Sequence, residues 1–365
     1  MKLESPVDKI KNFVSKIEKI TSRNISLPIL SSILIIAKDN ILKLRATNLD
    51  IGIEVNIPAK IEKEGVIAVE GSVLNNFLLN IQNGEKINLE IIGNNLNISS
   101  KYNKTIIKTL PYEDFPTIPI LKEENYINIP VDKFINGLKS VFYSASVSDI
   151  KPEISSVYIY SNEDNLIFVA TDSFRLAERK LKIKNINLNG VLIPFKNTSE
   201  IIRIFDGLEG DLKIVFNKNQ ISFEIDNIYL TSRLIDGVFP DYNQIIPEQN
   251  TTKVIVLKQD LINSLKLTNI FSDKFNQINF KIKPNNRLFK ISSSNADVGE
   301  NTTEIEASLF GEDVEINFNY RYINDCFQSI KEDSLVLEFS GSNKPMVIKG
   351  SGDNSFTYLV MPMNN

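Results

Sequence analysis

Few residues in this chain could do bond-making chemistry. Its 365 residues include no histidine, which excludes a Ser-His-Asp or Cys-His nucleophile, an imidazole base and a His-ligated zinc site. The single cysteine, Cys326, cannot form an intramolecular disulfide. It falls on an apolar helical stripe with Tyr322, Ile323, Phe327 and Ile330 that reads as core. No glycine-rich phosphate loop is present. Carboxylates remain, and Asp172 in Thr171-Asp172-Ser173 is the best candidate acid or base. Equivalent positions elsewhere carry Asn48 and Asn295, however, and an Asp that alternates with Asn suits an Asx-turn better than catalysis. No catalytic residue, cofactor or metal is expected.

Those equivalences arise because the chain states one pattern three times. Helical stripes start at Val7-Asp8-Lys9, Val131-Asp132-Lys133 and Lys258-Gln259-Asp260, and the turn recurs as Ala46-Thr47-Asn48, Ala170-Thr171-Asp172 and Ser293-Ser294-Asn295. Repeat ends match at Thr109-Leu110, Arg233-Leu234 and Tyr358-Leu359, the first two running on into Phe115-Pro116 and Phe239-Pro240. The period, about 124 residues, exceeds that of small solenoid repeats and suffices for a domain with its own core. Three domains are expected, at residues 1–122, 123–250 and 251–365.

Within a repeat, apolar residues recur at three and four in Val7, Ile10, Phe13, Val14, Ile17 and Ile20, and again in Val131, Phe134, Ile135, Leu138, Val141 and Phe142. Second helices follow around Leu74, Leu78 and Ile81 and around Ile201, Ile204 and Phe205, with Ser72 and Thr198 as N-caps. Alternating stretches at Ile87–Ile92, Leu212–Phe216 and Leu335–Phe339 predict strands closed by turns at Asn94-Asn95, Lys218-Asn219 and Ser342-Asn343. The fold class is α+β, two helices packed on antiparallel sheet in each repeat.

Composition is that of an ordinary globular protein, 42% hydrophobic and 24% charged. No signal peptide opens the chain and no run is apolar enough to span a membrane, so a cytoplasmic location with no membrane partner is expected. A net charge of −4 argues against a uniformly basic nucleic-acid binder. Lysines and arginines nevertheless fall on polar helix faces: Lys9, Lys16 and Lys19, then Lys133 and Lys139, Lys196 and Arg203, Lys258 and Lys266. Helices gathered along one wall would sum these charges toward a polyanion. Open sheet edges at the two ends of the series would be removed by head-to-tail pairing of two copies, if the rotation closes into a ring.

Several stretches taken in order carry a family resemblance: Leu27-Pro28-Ile29-Leu30, Thr109-Leu110-Pro111 with Asp114-Phe115-Pro116, Ala170 to Ala177, Asp236 to Tyr242, and Tyr358-Leu359-Val360-Met361-Pro362-Met363. The chain resembles the bacterial DNA sliding clamps, the beta subunits of DNA polymerase III, over essentially its whole length. That resemblance implies a non-catalytic processivity factor: a head-to-tail homodimeric ring whose helices surround duplex DNA without reading its sequence. It also implies the DNA polymerase III catalytic subunit, a clamp loader, other polymerases and repair proteins as partners, each docking a short peptide with Leu and Phe anchors.

Carried onto matching positions, the resemblance implies DNA contacts at Arg23, Lys196, Arg203, Lys139 and Lys9. The peptide cleft would be lined by Lys151, Ile154, Thr171, Ser173, Phe174, Arg175, Leu176, Pro240, Ile245, Phe275, Asn319, Tyr322, Pro345, Leu359, Met361, Pro362 and Met363. The dimer joint would set Lys101, Lys104, Ile107 and Lys108 against Ile270, Phe271, Asp297, Glu300 and Glu304. Relatives commonly have a small residue and His where Ser173-Phe174 stands, so Phe174 is expected to make an apolar pocket floor. Basic residues common in relatives near Phe195 and Glu70 are missing, which implies fewer DNA contacts. Methionine at Met361 and Met363 independently suits a surface that adapts to several partners. Other readings are a carboxylate-dependent hydrolase, which needs two converging acids, and a β-rich scaffold such as a secreted adhesin.

Overall fold

The structure, a computed structural model, describes residues 1–122, 126–184 and 186–363. Glu123, the expected start of the second repeat, and Asn365, the expected end of the third, lie outside the described residues.

The helices form where the apolar period places them: α1 Val7–Glu18, α2 Gly71–Leu79, α3 Val131–Val141, α4 Phe195–Phe205, α5 Lys258–Asn269 and α6 Tyr320–Cys326. In α1 the buried stripe is Val7, Ile10, Val14 and Ile17, while Lys9 stays exposed. Each of these six helices follows a strand with no intervening loop residue. That continuity corrects the expected N-caps. Glu70, the last strand residue, occupies the cap position of α2, and the Ser72 hydroxyl donates back to its carboxylate at 3.3 Å. Thr198 lies inside α4, fully buried, its hydroxyl donating to the Ile193 carbonyl at 3.3 Å. One turn also moves: Gly93 takes the left-handed conformation at φ 60°, so the hairpin turns at Gly93-Asn94 and Ile92 pairs with Asn95.

All strand pairs are antiparallel among the described residues, but the sheets do not stop at repeat boundaries. Ile228–Arg233 of the second repeat pairs with Ile51–Pro58 of the first, and Arg175–Lys182 of the second with Phe356–Val360 of the third. Two compact units result, residues 1–134 with 199–234 and residues 135–198 with 235–365. A 13-stranded sheet belongs to the first unit; sheets of nine and four strands belong to the second.

The recurring turn is built twice in the same way. Thr47 donates to the Ile51 carbonyl at 2.9 Å, Asn48 accepts from the Asp50 and Ile51 amides, and Leu49 has φ 79°. Thr171 donates to the Arg175 carbonyl at 2.7 Å, Asp172 accepts from the Phe174 and Arg175 amides, and Ser173 has φ 77°. The Asp172 side chain is therefore occupied in an Asx-turn.

Candidate functional site

The proposed cleft residues all belong to the second unit. Its foundation is a core cluster of Leu176, Leu359, Val347, Tyr242, Phe239 and neighbours. Leu176 and Leu359 face each other across the strand pair, each 1% exposed, and Leu359 also pairs with Val347. Thr171 and Pro345 are buried too. These four support the site from beneath.

Above them the turn at 171–175 thrusts Phe174 into solvent, 59% exposed, because left-handed Ser173 reverses the chain just before it. Phe174 stacks on Tyr322 with ring centroids 6.1 Å apart. Exposed in the turn, Phe174 does not form a buried floor, which corrects the expectation; Leu176, inside the strand that begins at Arg175, is the buried residue at the base. The C-terminal segment runs alongside. The Met361 amide donates to the Phe174 carbonyl and the Met363 amide to the Asn317 carbonyl, both at 2.8 Å, leaving Met361, Pro362 and Met363 half-buried.

Arg175 fastens this arrangement. Its guanidinium donates to Asp172 at 3.0 Å, to Asp325 and to the Tyr143 carbonyl at 2.8 Å, and it lies 4.8 Å from the centre of the Tyr322 ring. With its donors so engaged it braces α6 against the turn. Asp325 was not singled out from the sequence; it lies three residues after Tyr322 on the same helix face, which is the signal that would have found it. Tyr242 was also missed. Its hydroxyl donates to the buried Glu178 at 2.5 Å and pairs with Tyr160 at 2.7 Å, anchoring the segment that carries Pro240 and Ile245. Burial, the hydrogen bond to Glu178 and that to Tyr160 push its phenol well above the ordinary range.

Other members gather at the rim. Asn319 caps α6 by accepting the Arg321 amide at 2.9 Å and donates to the carbonyl of Phe275, itself 57% exposed. Pro240 and Ile245 are exposed. Lys151 and Ile154 share a local turn, the Ile154 amide donating to the Lys151 carbonyl at 3.2 Å, and among the described residues no backbone hydrogen bond joins them to Phe174 or the C-terminal segment.

The expected dimer-joint residues divide between the units. On the strand Lys104–Leu110, Lys104, Ile106 and Lys108 point outward, Ile106 being 61% exposed, whereas Ile107 is 6% exposed. Alternation along a strand thus corrects the expectation for Ile107: it packs within its own unit and Ile106 is the outward apolar side chain. Only the Thr109–Leu110 end of this strand pairs with Gly65–Glu70, so one edge at 104–108 is open. In the second unit, Gly299–Glu304 is an edge strand with Asp297, Glu300 and Glu304 exposed, and Ile270 is 62% exposed beside half-buried Phe271. Lys101 is exposed, its ammonium over the Tyr102 ring.

Among the expected DNA contacts, Arg23 and Lys9 are exposed, Lys139 is half-buried, and exposed Lys196 pairs with Asp149 at 2.8 Å. Arg203 is a correction. Its guanidinium donates to Glu200 and, at 2.6 Å, to the Lys16 carbonyl, while Lys16 donates to the Ile204 carbonyl at 2.9 Å. Each cation satisfies carbonyls at the end of the other's helix, so Arg203 joins α1 to α4 and is not a free phosphate contact. Burial first, then the Arg203 charge, holds the Lys16 pKa below its ordinary value.

Cys326 is fully buried, and burial pushes its thiol pKa up. Among the described residues no cluster of His, Cys, Asp or Glu could hold a metal, and no helix is long and apolar enough to cross a membrane.

A strand–helix pattern used three times, with sheets shared between repeats, defines the class: a DNA-clamp fold. Family models for the N-terminal, central and C-terminal domains of the DNA polymerase III beta subunit match residues 1–119, 128–241 and 243–364. The chain belongs to that family. The beta sliding clamp of Staphylococcus epidermidis is 29% identical over 355 residues, covering 94% of each chain. The Bacillus subtilis DNA polymerase sliding clamp is 25% identical with TM-score 0.95, covering 100% of this chain and 99% of that one. The Bartonella birtlesii sliding clamp bound to griselimycin is also 25% identical with TM-score 0.95, covering 100% of both. The protein is a sliding clamp, a non-catalytic DNA polymerase processivity factor whose partners are DNA and polymerase. A carboxylate-dependent hydrolase finds no support among these relatives.

Proposed function

We propose that the second unit binds short partner peptides through the surface bounded by Phe174, Tyr322, Met361, Met363, Pro240 and Ile245. The observation that carries this reading is the exposed Phe174 ring stacked on Tyr322 above buried Leu176 and Leu359, with the C-terminal segment hydrogen-bonded alongside. An apolar wall over an apolar base suits Leu and Phe anchors, and two methionines supply the adaptability that several partners demand. These partners include the polymerase III catalytic subunit, the clamp loader, other polymerases and repair proteins. The B. birtlesii clamp, a relative of the same fold, binds griselimycin.

The protein further acts as a head-to-tail homodimeric ring in the cytoplasm, with domain boundaries at 122/123 and 250/251. The open edge at Lys104–Lys108 of one copy pairs with the edge strand Gly299–Glu304 of the other, Ile106 meets Ile270 and Phe271, and Lys101, Lys104 and Lys108 oppose Asp297, Glu300 and Glu304. Apolar burial contributes more here than the exposed charge pairs, each worth about 0–1 kcal/mol. Lys9, Arg23, Lys139 and Lys196 then face duplex DNA as sequence-independent phosphate contacts. Such a ring tethers its polymerase by raising effective concentration. Light scattering with and without nicked circular DNA tests this reading: a dimer mass retained on circles supports it, and a monomer that leaves circular and linear DNA equally fast refutes it.

A further inference from the structure

The four-stranded sheet of the third repeat buries Ile278, Phe280, Phe289 and Ile291 on one face. Its other face carries side chains in rows that cross the strands in register. Glu315, Lys281, Lys290 and Glu304 form a row of two ion pairs, at 2.6 Å and 3.1 Å. The adjoining row is Asn317, Asn279, Ser292 and Thr302, all neutral and half of them short. Beyond it Gln277 pairs with Asn319 and Ser294 with Glu300. The hydroxyl residues Ser292, Ser294 and Thr302, shorter than the Lys and Glu side chains of the neighbouring row, help leave a trough across the sheet, a cavity of about 360 Å³.

We propose that this trough is a polar subsite for the same partner peptide, receiving an extended flanking segment of about four residues that carries amide or basic side chains. The inference rests on the peptide-binding reading above. Continuity supports it: the Asn317 carbonyl accepts the Met363 amide, while its side chain accepts from Asn279 at 2.8 Å inside the trough. One residue thus belongs to both the C-terminal segment's docking and the trough. Chemistry supports it as well, because amides and hydroxyls offer both donors and acceptors to a peptide backbone. The charge is directional. Among the described residues that line the trough the charged ones are Asp273 and, at the edge proposed to meet the other copy, Glu300; Asp273 is left to a ligand, and the nearby lysines Lys281 and Lys290 already have carboxylate partners. A cation therefore fits better than an anion. Length sets the number of residues: four strands about 4.8 Å apart span about 14 Å, or about four extended residues.

Calorimetry on the full-length protein tests the inference. The probes are a core peptide with Leu and Phe anchors and versions extended at either end by Ser-Asn-Lys-Lys or by Ser-Asn-Glu-Glu. One of the two basic extensions should tighten binding about threefold to tenfold, the range of a few exposed polar and charged contacts, and the acidic ones should not. Ser292→Arg, which fills the trough with a cation on the solvent face, should abolish that gain while binding the core peptide like the unmodified protein. Thr302→Lys, at the trough's far end, supplies a second variant should the first fold poorly. Binding of the core peptide with no gain from either basic extension, or a gain that survives both variants, overturns the subsite alone. Failure of the core peptide to bind removes the cleft reading and the subsite with it. Loss of dimer mass in folded Ser292→Arg would assign the trough to the contact between copies and likewise overturn the inference.

Discussion

Phe174 lies against Tyr322 with their rings 17° from parallel, and the same Tyr322 ring faces the Arg175 guanidinium. The exposed Phe174 ring therefore stands on a braced neighbour, which in the proposed peptide site would hold it in place before a ligand arrives. Preorganisation of this kind reduces the ordering cost of binding.

Phe174→Ala should weaken an anchor peptide by about 1–3 kcal/mol, as loss of an interface aromatic does, with little change in folding stability because the ring is already exposed. Calorimetry and a melting curve on the same sample check both halves. Deleting the chain from Met361 onward removes the half-buried methionines together with the amides that bond Phe174 and Asn317. Peptide binding should be lost while the mass in solution stays dimeric. Unchanged affinity in both variants would place the partner site elsewhere. The deletion includes Asn364 and Asn365, which lie outside the described residues.

Replacing Ile270 and Phe271 together with charged residues should yield a folded monomer at micromolar concentration, seen by light scattering. Ile106→Asp should weaken the dimer as well, whereas Ile107→Ala should lower stability instead, by about 2–5 kcal/mol for a buried isoleucine. Equal effects of Ile106→Asp and Ile107→Ala on the association constant would contradict the assignment of outward and inward faces.

Substituting Arg23 or Lys196 should reduce the salt slope of DNA binding by about one unit each, without sequence preference. Arg203→Ala should instead lower the melting temperature and leave that slope nearly unchanged, because it deprives the Lys16 carbonyl of its donor and Glu200 of its partner. On a closed circle the protein should survive salt that strips it from linear duplex. Equal lifetimes on the two would sink a topological attachment.

Acid should loosen the second unit through Asp353. Burial opposes its ionisation, but hydrogen bonds from Ser355 and the Arg179 guanidinium outweigh that and hold the carboxyl below the ordinary aspartate range. A depressed native value means stability that is present above about pH 3.9, the unfolded value, and is lost as pH falls through the lower native value. Asp353→Asn should therefore cost stability at neutral pH, and the difference from the unmodified protein should shrink steadily below pH 4. Melting curves across that range decide it; a difference independent of pH would show that the carboxylate's charge plays no part.

Much of this was legible in the residues alone. The missing histidine and the lone buried Cys326 removed whole classes of chemistry. Three-and-four spacing located helix starts such as Val7, Val131 and Lys258, because helical periodicity is local and survives without tertiary context. Asp172 and Asn48 declared their turn because an Asx side chain bonds amides only two or three residues away. The missed caps at Ser72 and Thr198 are matters of register: propensity favours a hydroxyl at a helix start, but these helices begin earlier, at Gly71 and Phe195, and the cap position falls on the last strand residue, where Asn319 can cap α6 and Glu70 does not cap α2.

Tertiary structure decided what depends on register and on partners distant in sequence. Ile106 and Ile107 are both isoleucine, and only strand pairing determines which is buried. The turn that carries Arg175 can be read along the chain, but only the fold shows that Asp325, 150 positions later, holds its guanidinium. The sheets cross repeat boundaries because Ile228–Arg233 and Phe356–Val360 find edges in other repeats, a choice that three near-equal copies cannot announce. The trough follows the same logic: Ser292, Asn279 and Thr302 are unremarkable along the chain, and only cross-strand register sets them in one row between charged neighbours.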